Sequence, residues 1–220
     1  MPRPLHTENT LIGAIEALSE TERLVAPTGF TPSHMAVLQL LSVREGLGNR
    51  AIGEALGLSA PTVSRLVERL GAVGLVRTSI DPTDLRRNLF RLEVQAHAIL
   101  FELRKSLLPH GLDEALALQS VLARTARQTG ISPAACRVAA ASPQGGATVG
   151  ELSRAAGLRQ SSTSTALKAL AVAHMMQPMD RGGEQDGRYR RYTLTHQGKL
   201  LQDTVCDCYN SIVNENSFAN

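Results

Sequence analysis

Two stretches of this 220-residue chain place arginine beside small hydroxyl side chains, and their make-up is the same. Residues 59–92 hold Arg65, Arg69, Arg77, Arg86, Arg87 and Arg91 against Glu68, Asp81 and Asp84, with Ser59, Thr62 and Ser64 at the front. Residues 159–194 hold Arg159, Lys168, Arg181, Arg188, Arg190 and Arg191 against Asp180, Glu184 and Asp186, with Ser161, Ser162, Ser164 and Thr165 at the front. Each stretch is +3, which is also the net charge of the whole chain, so the remainder is net negative. Arginine forks onto phosphates and guanine edges, and small hydroxyls reach phosphate oxygens. Positive charge confined to two such places is the footprint of a nucleic-acid surface. Solvated charge with no partner is the plainer alternative.

Other chemistries fit less well. Three cysteines do not make a disulfide framework. Cys136 falls at a core position of its predicted helix and reads as a packed thiol rather than a redox sensor. Cys206 and Cys208 are two apart on a predicted helix, roughly 200° around it, and cannot jointly grip a metal. The six histidines have no partner at ligand spacing, so neither a metal nor a cofactor is expected. The Gly145–Gly150 run lacks the Lys-Ser/Thr ending of a phosphate loop and does not follow a strand. Without a Gly-x-Ser-x-Gly elbow or a recognisable carboxylate pair, no enzyme is expected. Aromatics make up 3% and Trp is absent, which argues against a base-stacking single-strand platform. No apolar run reaches the length of a membrane span, and the N-terminus lacks the apolar centre of a signal peptide. A cytoplasmic location follows as an expectation.

The charged stretches need elements to hold them. Leu11, Ile15 and Leu18 line a first helix over residues 7–25. Thr31-Pro32 opens a second, an N-cap followed by proline in the first turn. A short helix over 50–56 ends at Gly57. Ser59 caps the next, where Val63, Leu66, Val67 and Leu70 repeat at i, i+3, i+4 and i+7. That stripe turns Pro61, Thr62, Arg65 and Arg69 outward. Gly74 stops this helix, Leu75 to Arg77 reads as a strand, and the turn Asp81-Pro82-Thr83-Asp84 leads to a return strand at 88–92. Apolar helices follow over 94–108 and 112–127, broken by Pro109-His110-Gly111. Ser132-Pro133 restarts the pattern, and a last helix carries the stripe Leu201, Val205, Cys208 and Ile212.

The restart is a repeat. Gly57-Leu58, Ser64, Leu70 and Leu75 fall opposite Gly157-Leu158, Ser164, Leu170 and Met175. The offset then grows by two, setting Asp84-x-Arg86 and Phe90-x-Leu92 opposite Asp186-x-Arg188 and Tyr192-x-Leu194. The predicted fold is mainly α, with two tandem winged helix-turn-helix units, at 1–110 and 111–220, and small β-wings. No linker is rich enough in Gly, Ser or Pro to let the halves move freely, so linking and terminal helices should pack them together.

These residues resemble the MarR family of winged-helix regulators. The likeness runs through Thr31-Pro32, Gly57-Leu58-Ser59-x-x-Thr62-Val63-Ser64-x-Leu66-Val67-x-x-Leu70, Gly74-Leu75-Val76-x-Arg77 and Asp81-Pro82-x-Asp84-x-Arg86. In the second half it rests on Glu151-Leu152, Gly157-Leu158, Ser164, Leu167, Leu170, Asp186-x-Arg188 and Leu194-Thr195-x-x-Gly198. The resemblance implies a recognition helix in the major groove and a wing reaching toward the minor groove, with the Asp of Asp-x-Arg orienting the wing and Arg86 or Arg188 making the contact. A salt bridge internal to the wing is the alternative role for that pair. Each half is shorter than a family subunit, so the chain looks like a fused, trimmed pair, with helices 94–108 and 112–127 replacing contacts between subunits. Arg159 stands where Ser59 caps, and His174-Met175-Met176 stands where the first half has Gly74-Leu75-Val76.

The expected partner is double-stranded DNA, read as two unlike half-sites by a transcriptional regulator, a repressor sooner than an activator. The expected contacts are Ser59, Pro61, Thr62, Ser64, Arg65, Arg69, Arg77, Arg86 and Arg87 in the first unit. In the second they are Arg159, Gln160, Ser161, Ser162, Ser164, Thr165, Lys168, Arg181, Arg188 and Arg190. The expected assembly is a monomeric pseudo-dimer, with a homodimer as the other option, and a small-molecule effector stays open. Alternatives are a replication, partition or transfer protein of a mobile element, and an interaction module that has lost DNA binding.

Overall fold

Proline after a capping hydroxyl starts two equivalent helices, and glycine ends the two that follow them. The computed structural model describes residues 5–107, 111–179 and 190–217. The first half runs α1 (Leu5–Val25), α2 (Pro32–Val43), α3 (Asn49–Leu56), α4 (Ala60–Ala72), β1 (Val76–Asp81), β2 (Asp84–Leu92) and α5 (Val94–Ser106). The second runs α6 (Leu112–Thr129), α7 (Pro133–Ala140), β3 (Ala147–Thr148), α8 (Val149–Ala156), α9 (Gln160–Val172), β4 (Met176–Pro178), β5 (Arg191–Leu194) and α10 (His196–Ser217). The chain is thus mainly helical with small β-sheets. Arg181, Arg188 and the second Asp-x-Arg pair lie outside the described residues.

Local chemistry explains the helix ends. Thr31 N–H donates to His34 Nδ1 at 3.1 Å ahead of α2. At α7, Ser132 Oγ accepts the Ala135 N–H at 3.2 Å. Thr148 and Glu151 form a reciprocal capping box at α8, with bonds of 2.8 and 3.3 Å. Gly57 and Gly157 close α3 and α8 in the left-handed region, at φ 67° and 59°.

The sheets also follow the repeat. β1 and β2 form an antiparallel hairpin, and β3, β5 and β4 form a three-stranded sheet in that order. Ala147 pairs with Tyr192 there. Leu47 makes an isolated bridge to Phe90 at the corresponding place in the first half.

Two apolar cores form, and neither respects the order of the chain. Met35, Val37, Leu38, Leu41, Ile52, Val63, Leu70, Phe90 and Leu100 make the first, completed by Leu112 and Leu116 of α6. The second holds Leu122, Val138, Leu152, Leu170, Leu201, Val205 and Tyr209, and takes in Leu11, Ala14, Ile15 and Leu18 of α1. Helices α1 and α6 pack along one another at the centre, α1 also touching α8 and α6 touching α3. Each crosses the glycine turn of the opposite half. A Cβ on Gly57 would sit 2.8 Å from the Arg124 backbone nitrogen of α6, and one on Gly157 would overlap the Ser19 hydroxyl of α1.

This arrangement corrects two expectations. The 94–108 helix is not at the centre: α5 packs on α2, leaving Phe101 and Val94 exposed. Its apolar stripe, Ala96, Leu100 and Leu103, is taken up by the first core, and its outer face carries His97, Glu102 and Lys105. On α10 the buried face is Leu201, Val205, Cys206 and Tyr209, so Cys208 and Ile212 sit at its margin. Among the described residues no helix is long and apolar enough to cross a membrane.

The repeat has drifted at one strained position. Gly74 turns the chain into β1 at φ 72°, while His174, before β4, is held at φ 54°. A side chain in this region costs about 1–2 kcal/mol against the ordinary helical basin. His174→Gly should therefore stabilise the protein by up to about 1 kcal/mol, the cost offset in part by the freer unfolded chain. Urea unfolding will show a raised midpoint; an unchanged or lowered one would show that the imidazole makes a compensating contact.

Candidate nucleic-acid interface

Helix α4 buries Val63, Leu66, Val67 and Leu70 and exposes Pro61, Thr62, Ser64, Arg65 and Arg69. Its first turn is self-satisfied. Ser59 Oγ accepts the Thr62 N–H at 3.4 Å and lies 2.8 Å from Thr62 Oγ1, and proline at the first turn needs no acceptor. Ser64 Oγ accepts from Asn49 Nδ2 at 3.2 Å. The two cations on this face differ. Arg69 lies 5.8 Å from the Phe30 ring centroid, drawn back against the loop before α2. Burial first, and then the Arg69 charge, hold the His34 imidazole below its ordinary pKa. Arg65 is exposed and has no partner among the described residues.

The wing sorts its arginines in the same way. Asp84 Oδ1 accepts the Arg86 N–H at 3.1 Å, and Asp84 Oδ2 lies 3.0 Å from Arg87 Nε. The Asp of Asp-x-Arg thus grips the backbone at Arg86 and the side chain of Arg87. Arg86 extends without a partner among the described residues. The wing-internal pair therefore exists, but it belongs to Arg87. Arg77 is tied to Glu93 at 3.4 Å. At the turn, Asp81 Oδ1 accepts from Thr83 Oγ1 at 2.7 Å and from its N–H at 2.8 Å. The Thr83 hydroxyl, followed by its N–H, holds the Asp81 carboxyl below the usual carboxylate range.

Helix α9 presents a different face. Thr163, Ala166, Leu167 and Leu170 are buried, and Gln160, Ser161, Ser162, Thr165 and Lys168 are exposed, with Ser164 half-buried. Arg159 occupies the N-cap without making a cap bond. Thr165 Oγ1 donates back to the Ser161 carbonyl at 3.0 Å, which occupies its hydrogen. Arg190 is exposed. Arg191, counted with the basic stretch, instead pairs with Glu151 at 3.2 Å. That partner, with the Thr148 backbone bond as the larger cause, depresses the Glu151 carboxyl pKa.

Sequence reasoning missed Arg137. It is 2% exposed on α7, its Nη1 2.9 Å from Glu22 and its Nη2 bonded to the Ser19 hydroxyl, both on α1. Its Nε is buried with no partner. Nearby is a cavity of about 600 Å³ between α1 and the second half, lined by Leu11, Ile15, Glu16, Ala140, Arg154 and Gln202. Its lining is mixed, with Glu16, Arg154 and Gln202 set among Leu11, Ile15 and Ala140. A local pattern offers no signal for it, because its walls meet only in the folded chain.

Among the described residues no group of His, Cys, Asp or Glu could hold a metal. Burial pushes the Cys136 thiol up to about 11, as suits a packed thiol. In thiol labelling at about pH 8.5, the ordinary thiol value, Cys208 should react readily and Cys136 only after unfolding. Equal rates for the two in the native protein would contradict that burial.

Comparison with known proteins bears on the first half. Residues 28–87, from the approach to α2 through Arg87 of the wing, match the MarR family model. No curated protein is a significant match. Among solved structures, the Streptomyces coelicolor regulator PcaV in complex with its natural ligand is 36% identical over 36% of this chain and 57% of its own, with TM-score 0.32. The Thermotoga maritima regulator Tm0710 is 23% identical over 41% of this chain and 64% of its own, with TM-score 0.37. The repressor CouR, bound to a 23-mer DNA duplex, is 26% identical over 44% of this chain and 69% of its own, with TM-score 0.40. The chain spans less than two thirds of the first two of these. By its own helix order and by the family model, the chain is similar to MarR-family winged helix-turn-helix regulators over residues 28–87.

Proposed function

We propose that the protein is a sequence-specific double-stranded DNA-binding transcriptional regulator, a repressor by operator occupancy. Arg65 on α4 and Arg86 on the wing carry this reading: both are exposed and unpaired among the described residues, while Arg69, Arg77 and Arg87 are engaged nearby. Arg91, on β2, is likewise exposed without a partner among the described residues, so α4 and the wing each keep free cations suited to straddling a duplex. In this reading α4 enters the major groove with Pro61, Thr62 and Arg65 facing the bases, and Arg86 enters the flanking minor groove.

The chain acts as a single-chain pseudo-dimer of units 1–110 and 111–220, with α1 and α6 exchanged across the centre. The matching element order and the paired bridges Leu47–Phe90 and Ala147–Tyr192 support it. Because α9 presents Ser161, Ser162, Thr165 and Lys168 where α4 presents Thr62 and Arg65, the operator has two unlike halves. A small-molecule effector fits the cavity between α1 and the second unit.

Duplex affinity should fall steeply with salt, since each neutralised phosphate releases counterion. Arg65→Ala and Arg86→Ala should each cost at least about 1 kcal/mol, the scale of a good arginine contact to DNA. The Arg86 substitution should also flatten the salt slope. Fluorescence anisotropy on the best-bound genomic fragment checks both. Salt-insensitive binding, or none to any fragment, would leave the interaction-module reading standing. Sites confined to an origin rather than promoters would favour a mobile-element protein.

A further inference from the structure

An exposed leucine sits at the wing tip among charged residues, with Asp81 and Asp84 before it and Arg86 and Arg87 after it. The hairpin ladder runs in unbroken register from Val76–Leu92 to Ile80–Asn88 and then slips, so that Asp81 faces Asp84. Leu85, Arg86 and Arg87 consequently have no residue opposite them and form a bulge at the wing tip. A bulge re-aims side chains away from the sheet. Here Asp84 fixes it on both sides, through the Arg86 N–H and the Arg87 guanidinium. Leu85 is 80% exposed, and Ile80, on the opposing strand, is 61% exposed. Isolated surface leucines need no explanation. This one lies on a rigidified tip beside two arginines, a setting in which an exposed leucine gains nothing from packing within the chain.

We propose that Leu85 is a wedge that enters a base step from the minor groove. The inference rests on the DNA-binding reading above and goes beyond it, by assigning a residue that deforms DNA rather than contacting an edge. Apolar side chains inserted at a step unstack it and kink the duplex, while arginine lies beside them in the minor groove, the place taken here by Arg86. Arg86 and Arg87 neighbour the leucine in sequence, and the two acids of the tip have partners within it: Asp84 in the Arg86 N–H and the Arg87 guanidinium, Asp81 in Thr83. Deformation is least costly at pyrimidine–purine steps, so Leu85 makes the wing prefer a TA or CA step beneath it without reading any base edge. Specificity then arises at a position where no hydrogen bond is made.

The test uses the full chain and a duplex containing its best-bound site, with 2-aminopurine at the flanking step and a dye pair at the ends. Wild type should raise the 2-aminopurine fluorescence and shorten the end-to-end distance at saturation. Leu85→Ala should abolish both changes and level the affinities for sites with TA and GG at that step. Leu85→Met should retain them. Leu85 is exposed, so these variants fold, and matched circular dichroism and melting will verify it. Unstacking and bending by Leu85→Ala equal to wild type would overturn the wedge while leaving the DNA-binding reading intact. The same holds if wild type binds in a salt-dependent manner without unstacking. Absence of any duplex binding by wild type would overturn both.

Discussion

The close approach of a helix to a glycine turn, made twice, is the constraint on which the rest of the structure depends. Helix α6 passes over Gly57 and α1 over Gly157, each at a distance no side chain at the turn could permit. Those turns join α3 to α4 and α8 to α9, so the crossings set where both outward-facing helices sit. Arg124 Nη2 also donates to the Ala55 carbonyl at 3.3 Å, and Arg127 Nη1 to the Leu58 carbonyl at 3.1 Å, satisfying carbonyls at the end of α3 and just beyond it. On the other side, Arg137 reaches from α7 to α1. A buried cation of this kind is costly to desolvate and is held by its partners' geometry, so it specifies the docking more than it stabilises it. The α1–α6 pair therefore contacts the turns that precede both outward-facing helices.

Electrostatics in the first half of the chain is a matter of sorting. Six arginines in residues 59–92 look alike as a composition, yet the fold gives several of them partners within the protein. Glu93 holds Arg77, Asp84 holds Arg87, and Phe30 sits beneath Arg69. These are exposed contacts and contribute little to stability. Their effect is positional: they hold three arginines back and leave Arg65, Arg86 and Arg91 exposed without a partner among the described residues. In the second half Thr165 stands where the first has Arg65, and Arg191 is turned onto Glu151. The two faces are thus chemically unequal, although they are built from the same succession of elements.

What could be read in the sequence was what short-range chemistry decides. The α4 stripe, the Ser132 and Ser59 caps, the Gly57 stop and the hairpin follow from spacing and turn residues, and they sit where they were expected. The choice of α1 over α5 for the centre was not legible, since both carry apolar stripes and only the shape of the opposite half discriminates between them. Arg137 was also hidden, because Ala-Ala-Cys-Arg-Val-Ala-Ala says nothing of the Glu22 and Ser19 that receive it from far along the chain. The role of Asp84 was half legible. The Asp-x-Arg pattern identified it as the organiser of the wing, but which neighbouring arginine it pairs with depends on the bulge. Arg181 and Arg188, expected as contacts, lie outside the described residues.

The central claim, one rigid chain presenting two unequal faces to one duplex, is tested most directly by hydroxyl-radical footprinting of the best-bound genomic site. The account predicts two protected patches on the same side of the helix, about one turn apart, unlike in sequence and unequal in depth. The deeper patch should be the one lost when Arg65 is replaced. A single patch, or two equal patches on a perfect palindrome, would contradict it.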